Sequence, residues 1–243
     1  MGKNFSSMIV AIFCYLYDEK KFLSIHRHLN EDYFNNHACK NENQGSTFKG
    51  LIKRFGNGRK KNFLRKWKHF IIIRHPIERF ISGFTHICVH GKNYSLSKKT
   101  CFNCNENVEC FITKLYDEIF LILNGRKKFA EYHLRHHFFP QSWHCQYITY
   151  KKYYKVLKYT NDNLEKFYDE LMVLLKGQNI PEDKLKFISY ELKNNKSIHK
   201  TQGSNEQLIV SRNLYSNTSL IDLLTRIYYE DFINFHFSLP DIL

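Results

Sequence analysis

The chain has 243 residues, of which 43% are hydrophobic and 16% aromatic, enough apolar material for one domain with a sizeable core and too much for a disordered chain. No stretch is apolar for long enough to span a membrane as a helix, and no repeat or low-complexity tract appears. Lys and Arg number 37 against 23 Asp and Glu, a formal charge of +14 that attracts polyanions but does not choose among nucleic acid, anionic membrane and acidic polysaccharide.

Residues 5–17 predict a helix, apolar nearly all round and therefore buried. Its core, Met8 to Leu16, also fits the apolar part of a signal peptide, and the opening Met1-Gly2-Lys3-Asn4-Phe5-Ser6 fits the loose myristoylation pattern. Residues 18–66 are polar and basic without a clear period. Phe70-Ile71-Ile72-Ile73 is a β-branched run that predicts a strand, leading into Arg74-His75-Pro76, with Pro76 suited to the first turn of a helix carrying Phe80, Phe84 and Ile87 on one side. A Cys-containing loop over 91–106 precedes a helix with Val108, Phe111, Ile112, Leu115, Ile119 and Ile122 on one face, stopped at Gly125. The basic, His-rich stretch 126–137 predicts further helix, Tyr153 to Tyr159 a second strand, and 162–176 an amphipathic helix ending at Gly177. A last helix over about 218–236 stops before Pro240. Strands alternating with helices predict an α/β fold with a parallel sheet.

Seven cysteines stand at 14, 39, 88, 101, 104, 110 and 145. The cluster Cys101, Cys104, Cys110 reads either as a disulfide-laced loop of an oxidising compartment or as part of a zinc site completed by a later His or Cys. A zinc site of this kind needs a second matched pair, which is absent, so disulfides are favoured, with Cys101, Cys104, Cys110 and Cys145 oxidised. The odd count leaves one thiol over. Asn-x-Ser/Thr sites fall at Asn4, Asn93, Asn195 and Asn217.

The chemistry concentrates where the first strand ends. An arginine at a strand's carboxyl end faces the usual ligand crevice of an α/β sheet, and Ser82 lies two helical turns on, so Arg74 and Ser82 could hold one phosphate together. Taken without context, the same residues read as a surface Arg, an exposed Ser and two solvated charges at Glu78 and Arg79. The pattern Arg74-x-Pro76-x-x-Arg79-Phe80-x-Ser82-x-Phe84, however, resembles the 3′-phosphate-binding signature of carbohydrate sulfotransferases that use the donor 3′-phosphoadenosine 5′-phosphosulfate (PAPS). Many relatives have Asp where this chain has His75. Lys3-Asn4-Phe5-Ser6-Ser7-Met8, opening a hydrophobic helix, resembles the 5′-phosphosulfate loop of the nematode branch of that family, as does its continuation Ala11 to Glu19. Backbone N–H groups at a helix N-terminus suit an anion, and Lys3 there would neutralise the bridging oxygen as the sulfuryl group leaves. His137-Phe138-Phe139-Pro140-Gln141 resembles the family's His-aromatic-x-Pro-Gln element. His137 is then a candidate base or a packing residue, with His136 and the pair His26 and His28 as alternatives. Ile227 to Phe235 resembles the closing helix, and Ser197 to Ser204 a polar loop near the donor.

The resemblance implies a P-loop-like sulfotransferase fold, with a central parallel sheet flanked by helices, in a single domain over 1–243. It implies Lys3 and His137 as catalytic residues, and Lys3, Asn4, Ser6, Ser7, Arg74, Ser82, Thr201 and Ser204 as donor-binding residues. PAPS is the co-substrate, no metal is expected, and the acceptor is a glycan, an acidic polysaccharide such as chondroitin. Nucleic acid is not expected as a partner. Relatives work in the Golgi lumen, held by a membrane anchor, with a strand ahead of the donor loop. Here both the anchor and that first strand are apparently missing, so the loop at Lys3 is expected to fray. Two other readings remain: a basic zinc-binding nucleic-acid module, and an inactive sulfotransferase-like protein that binds acidic sugar.

Overall fold

A computed structural model describes residues 1–33, 37–40, 42–45, 47–160, 162–195 and 203–240. In chain order its elements are α1 (Ser6–Tyr17), α2 (Glu19–Ile25), α3 (Phe48–Phe55), α4 (Lys60–Lys66), β1 (His69–Arg74), α5 (Pro76–Phe84), α6 (Ser95–Thr100), α7 (Val108–Leu123), α8 (Tyr132–Phe138), α9 (Tyr147–Tyr150), β2 (Tyr154–Tyr159), α10 (Leu164–Lys176), α11 (Glu182–Asn194), α12 (Asn205–Tyr215), α13 (Thr218–Ile227) and α14 (Tyr229–Phe235). The class is α/β: β1 and β2 pair in parallel as the two-stranded sheet found among the described residues, and helices make up most of the rest. The chain divides into two compact units, one of Met1–Asn4, Arg74–His144 and Thr201–Leu243, the other of Phe5–Ile73 and Cys145–Lys200.

In the first unit, Pro76 occupies the first turn of α5, where its missing N–H costs nothing, and the helix runs on through a π-helical turn at Thr85–Val89. Phe80 and Phe84 are fully buried and pack with Phe111 of α7 and Phe138 of α8, the rings of Phe111 and Phe138 lying 4.7 Å apart. Asn107 caps α7 by accepting from the Cys110 amide, and α7 ends at Asn124 with Gly125 in the left-handed conformation, as the predicted stop requires. Disulfides Cys88–Cys101 and Cys104–Cys110 tie the intervening loop. With Cys101, Cys104 and Cys110 all oxidised, none is a thiolate for zinc. The predicted helix over 126–137 is shorter than expected: it starts at Tyr132, where Glu131 accepts from the amides of His133 and Leu134. The predicted last helix breaks at Tyr228 into α13 and α14, and the buried Tyr228 hydroxyl donates to the Phe138 carbonyl at 2.7 Å.

In the second unit, α1 packs Met8, Ala11, Ile12 and Tyr15 into a core with α10, α11, Ile72 and Leu157. It is less enclosed than its composition predicts, since Phe13 is 37% and Tyr17 53% exposed. Met8 to Leu16 is thus part of a core helix in this fold. Disulfide Cys14–Cys39 closes a second loop, and Cys145, expected to be oxidised, is instead a free, exposed thiol. The stretch 18–66 holds α2, α3 and α4, short helices whose few apolar residues gave no readable period. No helix among the described residues is long and apolar enough to cross a membrane.

Candidate active site

Three buried isoleucines fix the end of β1, and Pro76 then forces the chain to turn, so Arg74 stands at the hinge between strand and helix. Within the first unit Arg74, Arg79 and Ser82 are 5%, 1% and 4% exposed, which overturns their reading as surface groups. Arg74 Nε donates to Glu78 Oε2 at 3.4 Å, one helical turn on. His75 sits at the N-cap of α5 without capping it. Its ring packs edge-on against Phe232 and Phe237, and burial holds its pKa below the usual imidazole value.

Lys3 and Phe5 both have positive φ, 68° and 62°, so left-handed residues flank Asn4 at the loop that opens α1. Turns of this kind make concave rows of backbone N–H groups that suit an anion. The expected fraying is not seen, because side chains from distant segments fix this loop. The Gly2 amide donates to the His136 carbonyl at 3.0 Å. Arg79 donates from Nε to the Gly2 carbonyl at 3.1 Å, from Nη1 to that of Phe139 at 3.0 Å and from Nη2 to that of His136 at 3.1 Å. Asn4 Nδ2 donates to Gln141 Oε1 at 2.6 Å, and the Arg74 amide reaches the same oxygen at 2.9 Å. Gln141 Nε2 donates back to the Arg74 carbonyl at 2.8 Å, while the Gln141 and Ser142 amides donate to the buried Asp231 carboxylate at 2.7 and 2.8 Å. Gln141 therefore joins the N-terminal loop, the strand end and α14.

The electrostatics are strongly positive. Burial and then the Arg74 charge lower Lys3 from its usual value to about 8. Burial, then His136, Lys3, Arg79 and His86, lower His137 to about 2, and burial likewise takes His136 and His144 to about 3. His137 is therefore a neutral imidazole at any physiological pH, and its Nδ1 has no hydrogen-bond partner among the described residues. The backbone runs close against it: a Cβ on Gly2 would lie 2.1 Å from that nitrogen. Lys3, Arg74 and His137 are thus brought together.

The other expected residues lie elsewhere or act locally. Ser6 and Ser7 are the first two residues of α1 and belong to the second unit. Ser204 caps α12, accepting from the Gln207 amide at 3.2 Å. Thr201 lies outside the described residues. Of the alternative bases, His26 pairs with Asp32 at 3.2 Å and His28 with Glu191 at 3.1 Å, both in the second unit. The roles of Arg79, Gln141 and Asp231 were missed, although each stands inside a quoted motif; what betrays them is a charged or amide side chain at a position that helical spacing assigns to the interior.

Comparison with known proteins agrees with this arrangement. Residues 2–238 match the sulfotransferase family. Three proteins of Caenorhabditis elegans are similar: the uncharacterized protein C18B2.2, 28% identical over 98% of this chain; carbohydrate sulfotransferase chst-1, 28% identical over 97%; and putative sulfotransferase vep-2, 32% identical over 83%. The aligned part spans 65%, 70% and 61% of these relatives' own lengths. No solved structure matches. With a match running from the loop at Gly2 to beyond α14, the chain belongs to the sulfotransferase family.

Proposed function

We propose that the chain, as one catalytic domain, transfers a sulfuryl group from PAPS to a hydroxyl of a carbohydrate, a glycosaminoglycan such as chondroitin, in the Golgi lumen. The observation that carries this is the placement of Lys3 close enough to Arg74 for one cation to depress the other, on a loop that Gln141 fastens to the Arg74 backbone. Two cations held together with little carboxylate nearby are relieved by an anion carrying several charges, as this donor does. Arg74 and Ser82 hold the 3′-phosphate. The loop amides from Lys3 to Ser7, with Asn4 acting through the main chain it fixes, hold the 5′-phosphosulfate, and Thr201 and Ser204 belong to a loop that closes on the donor.

In the reaction, the acceptor hydroxyl oxygen attacks sulfur as the bond from sulfur to the 5′-phosphate oxygen breaks. The Lys3 ammonium takes up the charge developing on that leaving oxygen. The hydroxyl proton passes to the imidazole of His137, which is neutral and so able to accept it, and 3′-phosphoadenosine 5′-phosphate (PAP) departs. The glycan acceptor is supported by the likeness to a carbohydrate sulfotransferase and by the basic charge of the chain. The disulfides support an oxidising compartment.

Binding of PAP tests the donor assignment. A charged hydrogen bond is worth about 1.5–3 kcal/mol, so Arg74→Ala weakens PAP by at least about tenfold, and Ser82→Ala by less. Unchanged PAP affinity in folded Arg74→Ala protein overturns the assignment.

A further inference from the structure

The positive charge is not spread evenly along the chain. No Asp or Glu lies between Glu42 and Glu78, nor between Glu131 and Asp162. In the second unit these acid-free segments pack on each other: Phe48 stacks on Tyr150 at 5.0 Å, the His69 ring lies 5.7 Å from Tyr154, and β1 pairs with β2. Together they form one wall of an open groove of about 1080 Å³, carrying Arg65, Lys68, Lys152 and Lys155 as exposed cations. Trp67 stands on the same wall, 49% exposed, its indole fixed by a 2.7 Å hydrogen bond from Nε1 to the Phe55 carbonyl. The facing wall, on α10, brings Lys166 together with Glu165, Asp169 and Glu170. The groove opens where the strands begin, at His69 and Tyr153, whereas Arg74 ends β1, a strand about 17 Å long.

We propose that this groove is an exosite for an acidic polysaccharide, holding a distant part of the acceptor chain; the proposal rests on the reading of the protein as a glycan sulfotransferase. Exposed cations act weakly one by one but add along a polyanion, and a concave site favours a single extended chain over a flat lipid surface. Duplex DNA carries a charge about every 1.7 Å and would be repelled most by the carboxylates of α10. An acidic polysaccharide spaces its charges more widely and offers the C–H faces of its rings to Trp67.

The test compares Arg65→Ala/Lys68→Ala/Lys152→Ala with Lys98→Ala/Lys99→Ala/Arg126→Ala, which removes as much exposed charge from the first unit. Binding of a long chondroitin sulfate chain and of PAP is measured on both and on the unmutated chain, with duplex DNA and anionic phosphatidylserine vesicles as competitors at equal charge concentration. The groove variant is expected to bind the polysaccharide about tenfold more weakly and the control variant within about twofold of the unmutated chain, with neither competitor displacing it better than the polysaccharide itself. An unchanged affinity in the groove variant, an equal loss in the control, or stronger displacement by DNA or vesicles overturns the exosite. Loss of polysaccharide binding in the groove variant, together with no PAP binding by any of the three proteins, supports the exosite and overturns the transferase reading instead.

Discussion

Arg79 Nε donates to the Gly2 carbonyl at 3.1 Å, and through it a guanidinium buried in α5 holds the first residues of the chain. The same group serves the carbonyls of His136 and Phe139, so its whole donor fork is engaged by main chain rather than by a carboxylate. That use of arginine sets its replacement apart from the loss of a surface charge.

Arg79→Lys keeps the charge but cannot reproduce three diverging donors. Each carbonyl left without a partner in a buried site costs about 1–3 kcal/mol. The variant is expected to lose several degrees in melting temperature and to bind PAP at least about tenfold more weakly, because the Lys3 loop loses its anchor. Calorimetry of melting and of PAP binding checks both. A variant that melts lower yet binds PAP normally would show that the loop does not depend on Arg79.

Gly2 is constrained by the ring beside it. A methyl group placed there would lie 2.1 Å from His137 Nδ1 and 2.4 Å from its Cε1, so the ring or the loop must move. Positional errors of about 1 Å cost about a hundredfold in rate. Gly2→Ala is therefore expected to lower kcat by about that factor while the core of the first unit, built from Phe80, Phe84, Phe111 and Phe138, keeps its stability. Equal kcat for Gly2→Ala and the unmutated chain would remove His137 from the reaction.

The main elements were legible in the sequence because their signals are local. The β-branched run at Phe70–Ile73, the proline after Arg74 and the apolar spacing of Val108 to Ile122 each determine a strand, a turn or a helix face within a few residues. The break at Tyr228 was not legible, since its cause is a hydrogen bond to Phe138, 90 residues away. The site was half legible for the same reason. Motif matching found Lys3, Arg74 and His137, but the bonds that hold them together run from Gln141 to Asn4, 137 residues apart, and from Arg79 to Gly2, 77 apart. No periodicity encodes such pairs. The cysteines show the limit most simply: spacing pointed to oxidation of the 101–110 cluster, yet Cys101 pairs with Cys88, and Cys145 stays free.

Alkylation without reduction should therefore label Cys145 and leave the other six described cysteines unlabelled, as mass spectrometry of peptides can show. Among the three bridges, Cys14–Cys39 closes the longest loop, 25 residues against 13 and 6. The loop-entropy account then expects removing it to destabilise most, by about 3 kcal/mol. A smaller loss for Cys14→Ala/Cys39→Ala than for Cys104→Ala/Cys110→Ala would contradict that order.

Lys3 gives the reaction a pH limit with a definite sign. Its ammonium, lowered to about 8 by burial and by Arg74, is charged below that pH and neutral above it in the free protein. Since kcat/KM reports the free enzyme, it is expected to fall as pH rises through about 8. A bound anionic donor favours the charged form, so kcat should hold to higher pH than kcat/KM does. The fall cannot come from unfolding through this group. Its folded pKa lies below the unfolded value of 10.5, so between about 8 and 10.5 the unfolded chain binds more protons, and the contribution of Lys3 to stability rises with pH while activity drops. Lys3→Arg keeps the charge throughout and should flatten the alkaline limb. Lys3→Gln removes both charge and limb and should lower kcat by about 10²–10³. A kcat/KM profile of the unmutated chain that stays level to pH 9.5, or a limb that persists in Lys3→Arg, would show that the ammonium at this position is not the group that meets the leaving oxygen.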